Sequence, residues 1–393
     1  MLIKTNRIES IDILRGLVMV IMALDHVRDY FHYGAFFNDP TNLETTTPFL
    51  FFTRFITHYC APVFVFLAGT SAFLYGNKKT INELFKFLLT RGIWLILLEI
   101  VVNNLIWKFD LSYSRIILQV IWAIGFSMII LSFLIYLHKK VLLFIGVLIV
   151  FGHNTLDGIV RNGNNFIDNI WYILHQPNFI PFGESNDIGV FYPVLPWIGL
   201  MVLGYCLGQL YTKEFDAKIR KKWLLIIGFT AIAVFFILRS FNIYGDLMPW
   251  STQDTTSKTI MSFFKVTKYP PSLAYTLITM GPALLFLYGI ESVKNKITDF
   301  FLVFGRVPLF YYFLHVLVIH VFAIIGILIF GGNWQHMILT KDVFANAKLI
   351  DYGYPLSIVY LVWISIIALL YFPSKKYMTY KANNKDKWWL SYL

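Results

Sequence analysis

Two ionisable residues, Arg15 and His26, share one face of the first apolar segment of this chain. An α-helix turns about 100° per residue, so the eleven steps between them come within about 20° of three full turns. The two side chains then point the same way and lie about 16 Å apart along the helix axis. Ionisable groups in a membrane helix are costly and usually face a bundle interior or a wet cavity. The spacing predicts one cavity with a cation at one depth and an imidazole at another.

An imidazole in such a cavity can take a proton from an attacking amine or hydroxyl group. We therefore predict that His26 is a general base and that the neighbouring Asp25 orients it. Adjacent residues of a helix point about 100° apart, so Asp25 can instead face another helix. The alternative for both residues is a structural polar cluster that joins the first helix to its neighbours.

Other polar residues of the apolar segments lie at similar depths. Arg54 and His58 are four residues apart on one face of the second segment. His58 is predicted to meet His26 as a second catalytic residue, the alternative being a hydrogen bond between helices. Arg54 is predicted to bind substrate near the outer mouth, or else to pair with Asp25 or Asp29. His315 lies at mid-membrane depth and is predicted to line the same cavity as a substrate-binding residue.

Phosphate-binding and metal-binding motifs are not found in the sequence. It has no Gly-rich phosphate loop, no nucleophile elbow and no zinc-ligand spacing, so we predict no metal. Any phosphorylated donor would then be bound by scattered basic residues, and Arg15, Arg91 and Arg306 are the candidates near the predicted cytoplasmic side. Lys268 precedes a helix predicted to begin near Ser272. It is a candidate for binding the acceptor, because helix N-termini attract anions and sugar hydroxyls.

The composition identifies the class of protein that must position these residues. Of 393 residues, 58% are hydrophobic and 18% aromatic, and the mean hydropathy is +0.64, as in a polytopic membrane protein. A net charge of +11 is typical of cytoplasmic loops beside anionic lipid and not of a nucleic-acid partner here, since no such motif is present. Cys60 and Cys206 lie in apolar runs and form no disulfide framework.

Ten apolar segments are predicted to cross the membrane as helices, which makes the fold an all-α bundle. They are 11–31, 49–76, 92–107, 116–137, 141–152, 191–212, 223–242, 271–291, 307–330 and 354–372. Lysine and arginine concentrate in alternate connections, which places both termini in the cytoplasm. We predict one membrane domain, 1–373, and a basic, aromatic cytoplasmic tail, 374–393.

Several segments carry a family likeness. The opening RIESIDILRGLVMVIMALDH, which ends at His26, resembles the transmembrane acyltransferases related to heparan-α-glucosaminide N-acetyltransferase. The Arg, ten residues, His spacing is also similar to that of the membrane acyltransferase-3 family, which O-acetylates surface sugars. Further similar stretches are CAPVFVFLAG at 60–69, YPVLPWIGLMVLGY at 192–205, KYPPSLAYTLITMGPA at 268–283 and FGRVPLFYYFLH at 304–315.

The resemblance implies a bundle of ten or eleven helices that binds acetyl-CoA from the cytoplasm and acetylates a sugar on the far side. A histidine is central to that chemistry, and His26 matches the acyltransferase-3 position. Heparan-α-glucosaminide N-acetyltransferase, the lysosomal enzyme of the first of these families, has an amide residue at the position of His26. Its key histidine comes slightly later, in the first luminal loop. The nearest loop histidine in this chain is His32.

These observations together predict an acetyl-CoA-dependent acyltransferase of the bacterial cytoplasmic membrane. Its expected partners are acetyl-CoA, an extracytoplasmic sugar or glycan with an acceptor amine or hydroxyl, and membrane lipid, with a homodimer as a further option. The alternative is a secondary transporter or flippase for a lipid-linked or sugar substrate, because polar mid-membrane residues also suit coupled transport. Transporters often contain inverted repeats, and none is visible in this sequence.

Overall fold

The structure, a computed structural model, describes residues 8–329, 331–345 and 349–391. Its helices in chain order are α1 (Glu9–Phe31), α2 (Pro48–Thr57), α3 (Cys60–Gly76), α4 (Ile81–Leu97), α5 (Asn104–Lys108), α6 (Val120–Leu134), α7 (Lys139–Gly152), α8 (Phe166–Leu174), α9 (Leu195–Leu207), α10 (Ala217–Phe241), α11 (Thr256–Phe264), α12 (Leu273–Ile290), α13 (Lys296–Arg306), α14 (Pro308–Ile329) and α15 (Leu356–Asn383). The strands are β1 (Arg115–Leu118), β2 (Asn178–Phe182) and β3 (Asn186–Val190). The chain is mostly helical, as predicted, with 69% helix and 5% strand.

All ten predicted segments overlap helices, but these helices differ in length and polarity. Within the described residues, six helical stretches are long and apolar enough to cross a membrane. They are Pro48–Gly76, Lys139–Leu156, Ala217–Phe241, Leu273–Ile290, Pro308–Ile329 and Leu356–Asn383. Two shorter apolar helices are Val120–Leu134 and Leu195–Tyr211. The count of ten spans stays a prediction.

The first helix, α1, is not among those six because it contains six charged residues. Most of its side chains are nevertheless buried, including Asp12, Asp25 and Arg28. A helix with this many charges is stable in an apolar surrounding only when protein groups pair with them. Other charges of α1 and its neighbouring helices must therefore supply those partners.

Both predicted cytoplasmic termini lie partly outside the described residues, which exclude 1–7 and 392–393. The side of the membrane on which each end lies stays a prediction. Helix α15 continues without interruption to Asn383, ten residues beyond the predicted end of the membrane domain. The division into 1–373 and 374–393 likewise stays a prediction.

A small three-stranded sheet departs from the predicted all-α pattern. Its strand order is β1-β3-β2, with β1 parallel and β2 antiparallel to β3. The helix predicted to start at 116 begins only at Val120, because residues 115–118 form β1. The run RIIL fits a helix or a strand equally well, and such short apolar runs are decided by their partners. Here Arg115 lies opposite Asp187, and the two side chains form a bidentate ion pair of 2.6 and 2.8 Å.

The chain divides into two compact units, each built from separate segments. The first contains Met1–Cys60, Leu105–Ser112 and Gly289–Leu393, and the second contains Ala61–Asn104 and Tyr113–Tyr288. In the first unit, α1 packs against α2, α13, α14 and α15. In the second unit, α4 packs against α6, and both α6 and α7 pack against α9.

Glycines bring α1 and α13 into backbone contact within the first unit. A Cβ atom on Gly16 would overlap the carbonyl oxygen of Phe301, and one on Gly305 would overlap the carbonyl oxygen of Asp12. Small residues at such crossings allow the close helix approach that stabilises membrane bundles. The same approach brings the side chain of Arg15 to the carbonyl of Gly305, at 3.2 Å.

We expect Gly305→Ala to separate α1 from α13 and to lower the stability of the folded protein by about 1–3 kcal/mol, as overpacking does. The obstacle is a backbone carbonyl, which a side-chain rotation cannot remove. The measurement is the Tm of the detergent-solubilised protein. Gly289→Ala is the matched control, because a Cβ at that helical position meets nothing within 4 Å. Equal Tm values for the two variants would contradict close packing at Gly305.

Candidate active site

Two histidines from distant parts of the chain meet inside the first unit. Nδ1 of His26 on α1 lies 2.8 Å from Nε2 of His315 on α14, and both side chains are buried. Their rings are nearly parallel, 11° apart, with centroids separated by 4.9 Å. The second nitrogen of His315, Nδ1, lies 2.8 Å from the backbone oxygen of Tyr311, one turn earlier on α14. The result is a series of two hydrogen bonds that runs from His26 through His315 to a backbone carbonyl.

The donors and acceptors of these two hydrogen bonds determine the tautomers of both rings. A carbonyl oxygen only accepts hydrogen bonds, so Nδ1 of His315 carries the proton that it donates to Tyr311. A neutral ring, which burial favours, then has an acceptor at Nε2. Nδ1–H of His26 must therefore donate to His315, and the lone pair of His26 lies on Nε2. This arrangement gives His26 the protonation state that a general base needs.

Aromatic side chains surround the two histidines. Trp107 lies edge-on to His26 with ring centroids 4.7 Å apart, and Tyr312 lies edge-on at 6.0 Å. Tyr311 stacks on His315, with centroids 5.0 Å apart. The hydroxyl of Tyr311 and the indole nitrogen of Trp107 are buried and have no hydrogen-bond partner among the described residues. Two donors beside the histidines are thus available to a bound molecule.

Asp25 lies at the centre of a separate buried ion-pair network. Its carboxylate contacts the guanidinium groups of Arg28, at 2.9 Å, and of Arg54. It also accepts a hydrogen bond of 2.7 Å from the hydroxyl of Thr57. Arg28 in turn pairs with Asp29. The alternative stated for Arg54, pairing with Asp25, is what the structure contains, and His315 rather than Asp25 accepts the Nδ1 proton of His26.

His58 lies at the C-terminal end of α2 and is buried. Its ring lies against that of Phe55, with centroids 6.3 Å apart. The helix predicted over 49–76 is interrupted here, since α2 ends at Thr57 and α3 begins at Cys60. A catalytic role for His58 beside His26 stays a prediction.

A polar pocket lies at the C-terminal end of α1. Its volume is about 60 Å³, and Arg28, Asp29 and His32 are among the residues that line it. Such a volume accommodates a few water molecules or one functional group of a larger ligand. Burial lowers the pKa of the His32 imidazole from its ordinary value, and the neighbouring Arg28 acts in the same direction. The neutral ring therefore predominates near neutral pH.

A cluster of charges lies at the other end of α1. Arg15 pairs with Asp12 at 2.8 Å, and Arg306 of α13 lies 3.8 Å from Asp12 and 3.6 Å from Glu9. Lys294 also pairs with Glu9. Nε and Nη2 of Arg306 are buried and form no hydrogen bond with any described residue. Three cations and two carboxylates give this cluster a positive net charge, and two of the three predicted donor-binding arginines meet here.

The remaining predicted site residues lie in the second unit. The guanidinium of Arg91 on α4 lies 5.9 Å from the ring centroid of Phe87. The ammonium group of Lys268 lies 5.1 Å from the ring of Tyr269 and 6.0 Å from that of Tyr192. These are cation–π contacts of ordinary length. Roles for Arg91 in donor binding and for Lys268 in acceptor binding stay predictions.

Sequence reasoning missed one member of the histidine site. Trp107 lies at the end of a predicted span, a position where tryptophan commonly marks the membrane interface, so its sequence context gave no sign of this contact. Tyr311 and Tyr312, in contrast, are adjacent hydroxyl groups on the predicted ninth segment, close to His315. Their position on that segment is the signal that identifies them as donors into the core.

Comparison with known proteins identifies the family. The sequence model of the heparan-alpha-glucosaminide N-acetyltransferase catalytic family matches residues 7–244, more than half of the chain. No curated protein matches the chain. Enzymes of this family use acetyl-CoA as the acetyl donor, and the long apolar helices are those of an integral membrane protein. This chain therefore belongs to the heparan-alpha-glucosaminide N-acetyltransferase catalytic family, which implies acetyltransferase activity.

Proposed function

We propose that this protein transfers an acetyl group from cytoplasmic acetyl-CoA to an amine or hydroxyl of an extracytoplasmic sugar, with His26 as general base. The observation that carries the proposal is the series of hydrogen bonds from Nδ1 of His26 through His315 to the carbonyl of Tyr311. These hydrogen bonds set the tautomers of both rings. His315 orients the ring of His26, as the carboxylate of a Ser–His–Asp triad orients its histidine. The proposal places the enzyme in the bacterial cytoplasmic membrane.

The proposed reaction begins when Nε2 of His26 removes the proton of the acceptor amine or hydroxyl. The acceptor atom forms a bond with the thioester carbonyl carbon, and the carbonyl oxygen takes the negative charge. The tetrahedral intermediate then collapses, the carbon–sulfur bond breaks, and the proton on Nε2 passes to the sulfur of CoA. The products are the acetylated sugar and free CoA, and His26 returns to its initial state.

His315 has a positioning role in this proposal. Protonation at Nε2 makes His26 a cation, and its Nδ1–H then donates a stronger, charge-assisted hydrogen bond to His315. The hydroxyl of Tyr311 and the indole N–H of Trp107 lack hydrogen-bond partners among the described residues, and either donor can stabilise the oxyanion. This accounts for buried donors that would otherwise be unsatisfied.

The charge cluster of Arg15, Arg306 and Lys294 is the proposed binding site for the phosphates of acetyl-CoA. Its net charge is positive, and Nε and Nη2 of Arg306 form no hydrogen bond with any described residue, since the carboxylates of Asp12 and Glu9 lie 3.8 and 3.6 Å away. Arg15 and His26 lie on one uninterrupted helix, so the donor cluster and the base are held at a constant separation of about 16 Å. The small pocket lined by Arg28, Asp29 and His32 is the proposed entrance for the acceptor group.

Binding of acetyl-CoA tests the donor site. We expect Arg306→Gln to raise the Kd of the purified protein for acetyl-CoA at least about tenfold, because a charge-assisted hydrogen bond contributes roughly 1.5–3 kcal/mol. The measurement is calorimetry in detergent, with Arg15→Ala as a second variant. Arg161→Gln is the control, since that arginine is half exposed and makes only a 3.8 Å ion pair.

Two results would contradict the proposed donor site. An unchanged Kd in both variants, with folding verified by size-exclusion chromatography, would place the phosphates elsewhere, and Arg91→Gln would then be the next variant. No binding of acetyl-CoA or CoA to the folded wild-type protein would argue against the transferase itself. That result would favour the transporter alternative, which predicts substrate flux without release of CoA.

A further inference from the structure

Three side chains of the types that bind metal ions converge in the second unit, and the proposed acetyl transfer uses none of them. His153 begins the 3₁₀ turn His153–Leu156 that follows α7, Asp157 ends this turn, and His175 ends α8. One nitrogen or oxygen atom from each side chain lies within 4.8 Å of the other two. Both imidazoles are 97% buried, each with an exposure of 3%, and Asp157 is partly buried.

The polar atoms of this cluster approach one another without forming hydrogen bonds. Nε2 of His175 lies 3.3 Å from Oδ1 of Asp157, but neither atom has a hydrogen-bond partner in the described part of the chain. The same holds for Nδ1 of His175 and for Nδ1 of His153. Buried polar atoms are rarely left unsatisfied in folded proteins. A ligand bound at the point of convergence would satisfy one atom from each residue.

The separation of Nε2 of His175 from Oδ1 of Asp157 fits a shared metal ion better than a direct contact. A charge-assisted hydrogen bond between imidazole and carboxylate is about 2.7–2.9 Å long. In a tetrahedral zinc site the ligands lie about 2.0–2.1 Å from the ion and hence about 3.3 Å from one another. The distance of 3.3 Å between His175 and Asp157 equals that tetrahedral separation.

An outer contact holds one of the three side chains in place. Nδ1 of His153 is buried and has no hydrogen-bond partner among the described residues, so it is the atom available to a ligand. The side-chain nitrogen of Asn154 donates to Oδ2 of Asp157 at 2.8 Å, so that Oδ1 is directed to the cluster. Metal-binding histidines and carboxylates usually have outer partners of this kind, which fix their orientation.

We propose that His153, Asp157 and His175 bind a divalent transition-metal ion, Zn²⁺ foremost, with a fourth position open to water. Two imidazoles and one carboxylate suit Zn²⁺, whereas Mg²⁺ and Ca²⁺ prefer oxygen ligands alone. The ion joins the end of α7 to the end of α8 and thereby fixes the segment between them. A sequence motif search does not find this site, because the ligands come from a turn and a helix end with long, irregular spacing.

Metal analysis of the purified full-length chain, prepared without a histidine tag, tests this proposal. The protein is incubated with ZnCl₂, desalted and analysed by mass spectrometry, and the same is done for His175→Gln and Asp157→Asn. We expect about one Zn²⁺ per wild-type chain and at least about a tenfold loss in both variants. His138→Asn is the control, since that histidine is exposed and asparagine preserves its capping of α7.

Cobalt provides a second readout that needs no variant. Wild-type protein loaded with Co²⁺ should show the visible absorption of a tetrahedral site, and Zn²⁺ should raise the Tm of the wild type but not of His175→Gln. Substoichiometric Zn²⁺ in the wild type, equal Zn²⁺ in wild type and His175→Gln, or a Co²⁺ spectrum of purely octahedral type would overturn the proposal. Loss of Zn²⁺ from His138→Asn as well would also contradict it.

Discussion

We expect His26→Ala to reduce the rate of acetyl transfer by about 10²- to 10⁴-fold, which is the range that a general base contributes. The variant removes Nε2 of His26, the nitrogen that accepts the substrate proton in the proposed reaction, and the methyl group of alanine cannot accept a proton. The measurement is release of free CoA with a glucosamine-type acceptor. The Kd for acetyl-CoA should stay near the wild-type value, because the donor cluster lies at the far end of α1.

Further variants distinguish the proposed base from its neighbours. His315→Gln should lower kcat less than His26→Ala, and the double variant should be no slower than His26→Ala alone, because residues that act as one unit are not additive. His138→Asn serves as the control. Full activity in His26→Ala would end the proposed role of His26. Loss of activity in His32→Ala but not in His26→Ala would identify His32, in the small polar pocket, as the base instead.

We expect Asp25→Asn to destabilise the folded protein by about 3 kcal/mol, since it leaves the guanidinium groups of Arg28 and Arg54 without their shared carboxylate. The side chain of Asp25 is 10% exposed and that of Arg28 only 4%, so water provides little compensation. The measurement is the Tm in detergent, together with the yield of monodisperse protein.

The matched control for Asp25 restores the charge balance. In Asp25→Asn with Arg54→Gln, the remaining Arg28 pairs with Asp29, and the Tm should recover in part. A double variant less stable than both single variants would contradict the ion-pair explanation. The kcat of acetyl transfer per folded molecule should stay near the wild-type value in Asp25→Asn, which separates this structural role from the catalytic role that the sequence predicts for Asp25.

The face of α1 on which His26 lies could be predicted, because helical spacing fixes the direction of each side chain within one helix. The depth of His26 in the membrane stays a prediction. The partner of His26 could not be predicted, since His315 is 289 positions away and several histidines lie at similar depth. His58 was an equally good candidate by depth, and only the packing of α14 against α1 brings His315 to the ring of His26. Spacing fixes direction within one helix but gives no information on which helices are neighbours.

The same limit applies to Asp25 and to residues 115–118. Asp25 points about 100° away from His26 around α1, so the sequence indicates that Asp25 can face another helix. In the structure it pairs with Arg54 on α2. The run at 115–118 has no period that separates strand from helix, and the partner that decides the matter, β3, begins only at Asn186. Local sequence determines on which face of a helix a side chain lies. The side chain that it contacts, and the choice between helix and strand in a short apolar run, depend on residues far away in the chain.

The segmented first unit has a consequence for biosynthesis. Helix α1 leaves the ribosome before α13, α14 and α15, against which it packs. These three helices follow roughly 265 residues later, and at about 5–20 residues per second they arrive tens of seconds later. During that interval Asp12 and Arg15 lack Arg306 and the Gly305 carbonyl as neighbours. Nascent chains that stop before α13 should therefore retain α1 as a poorly inserted helix that depends on the insertion machinery.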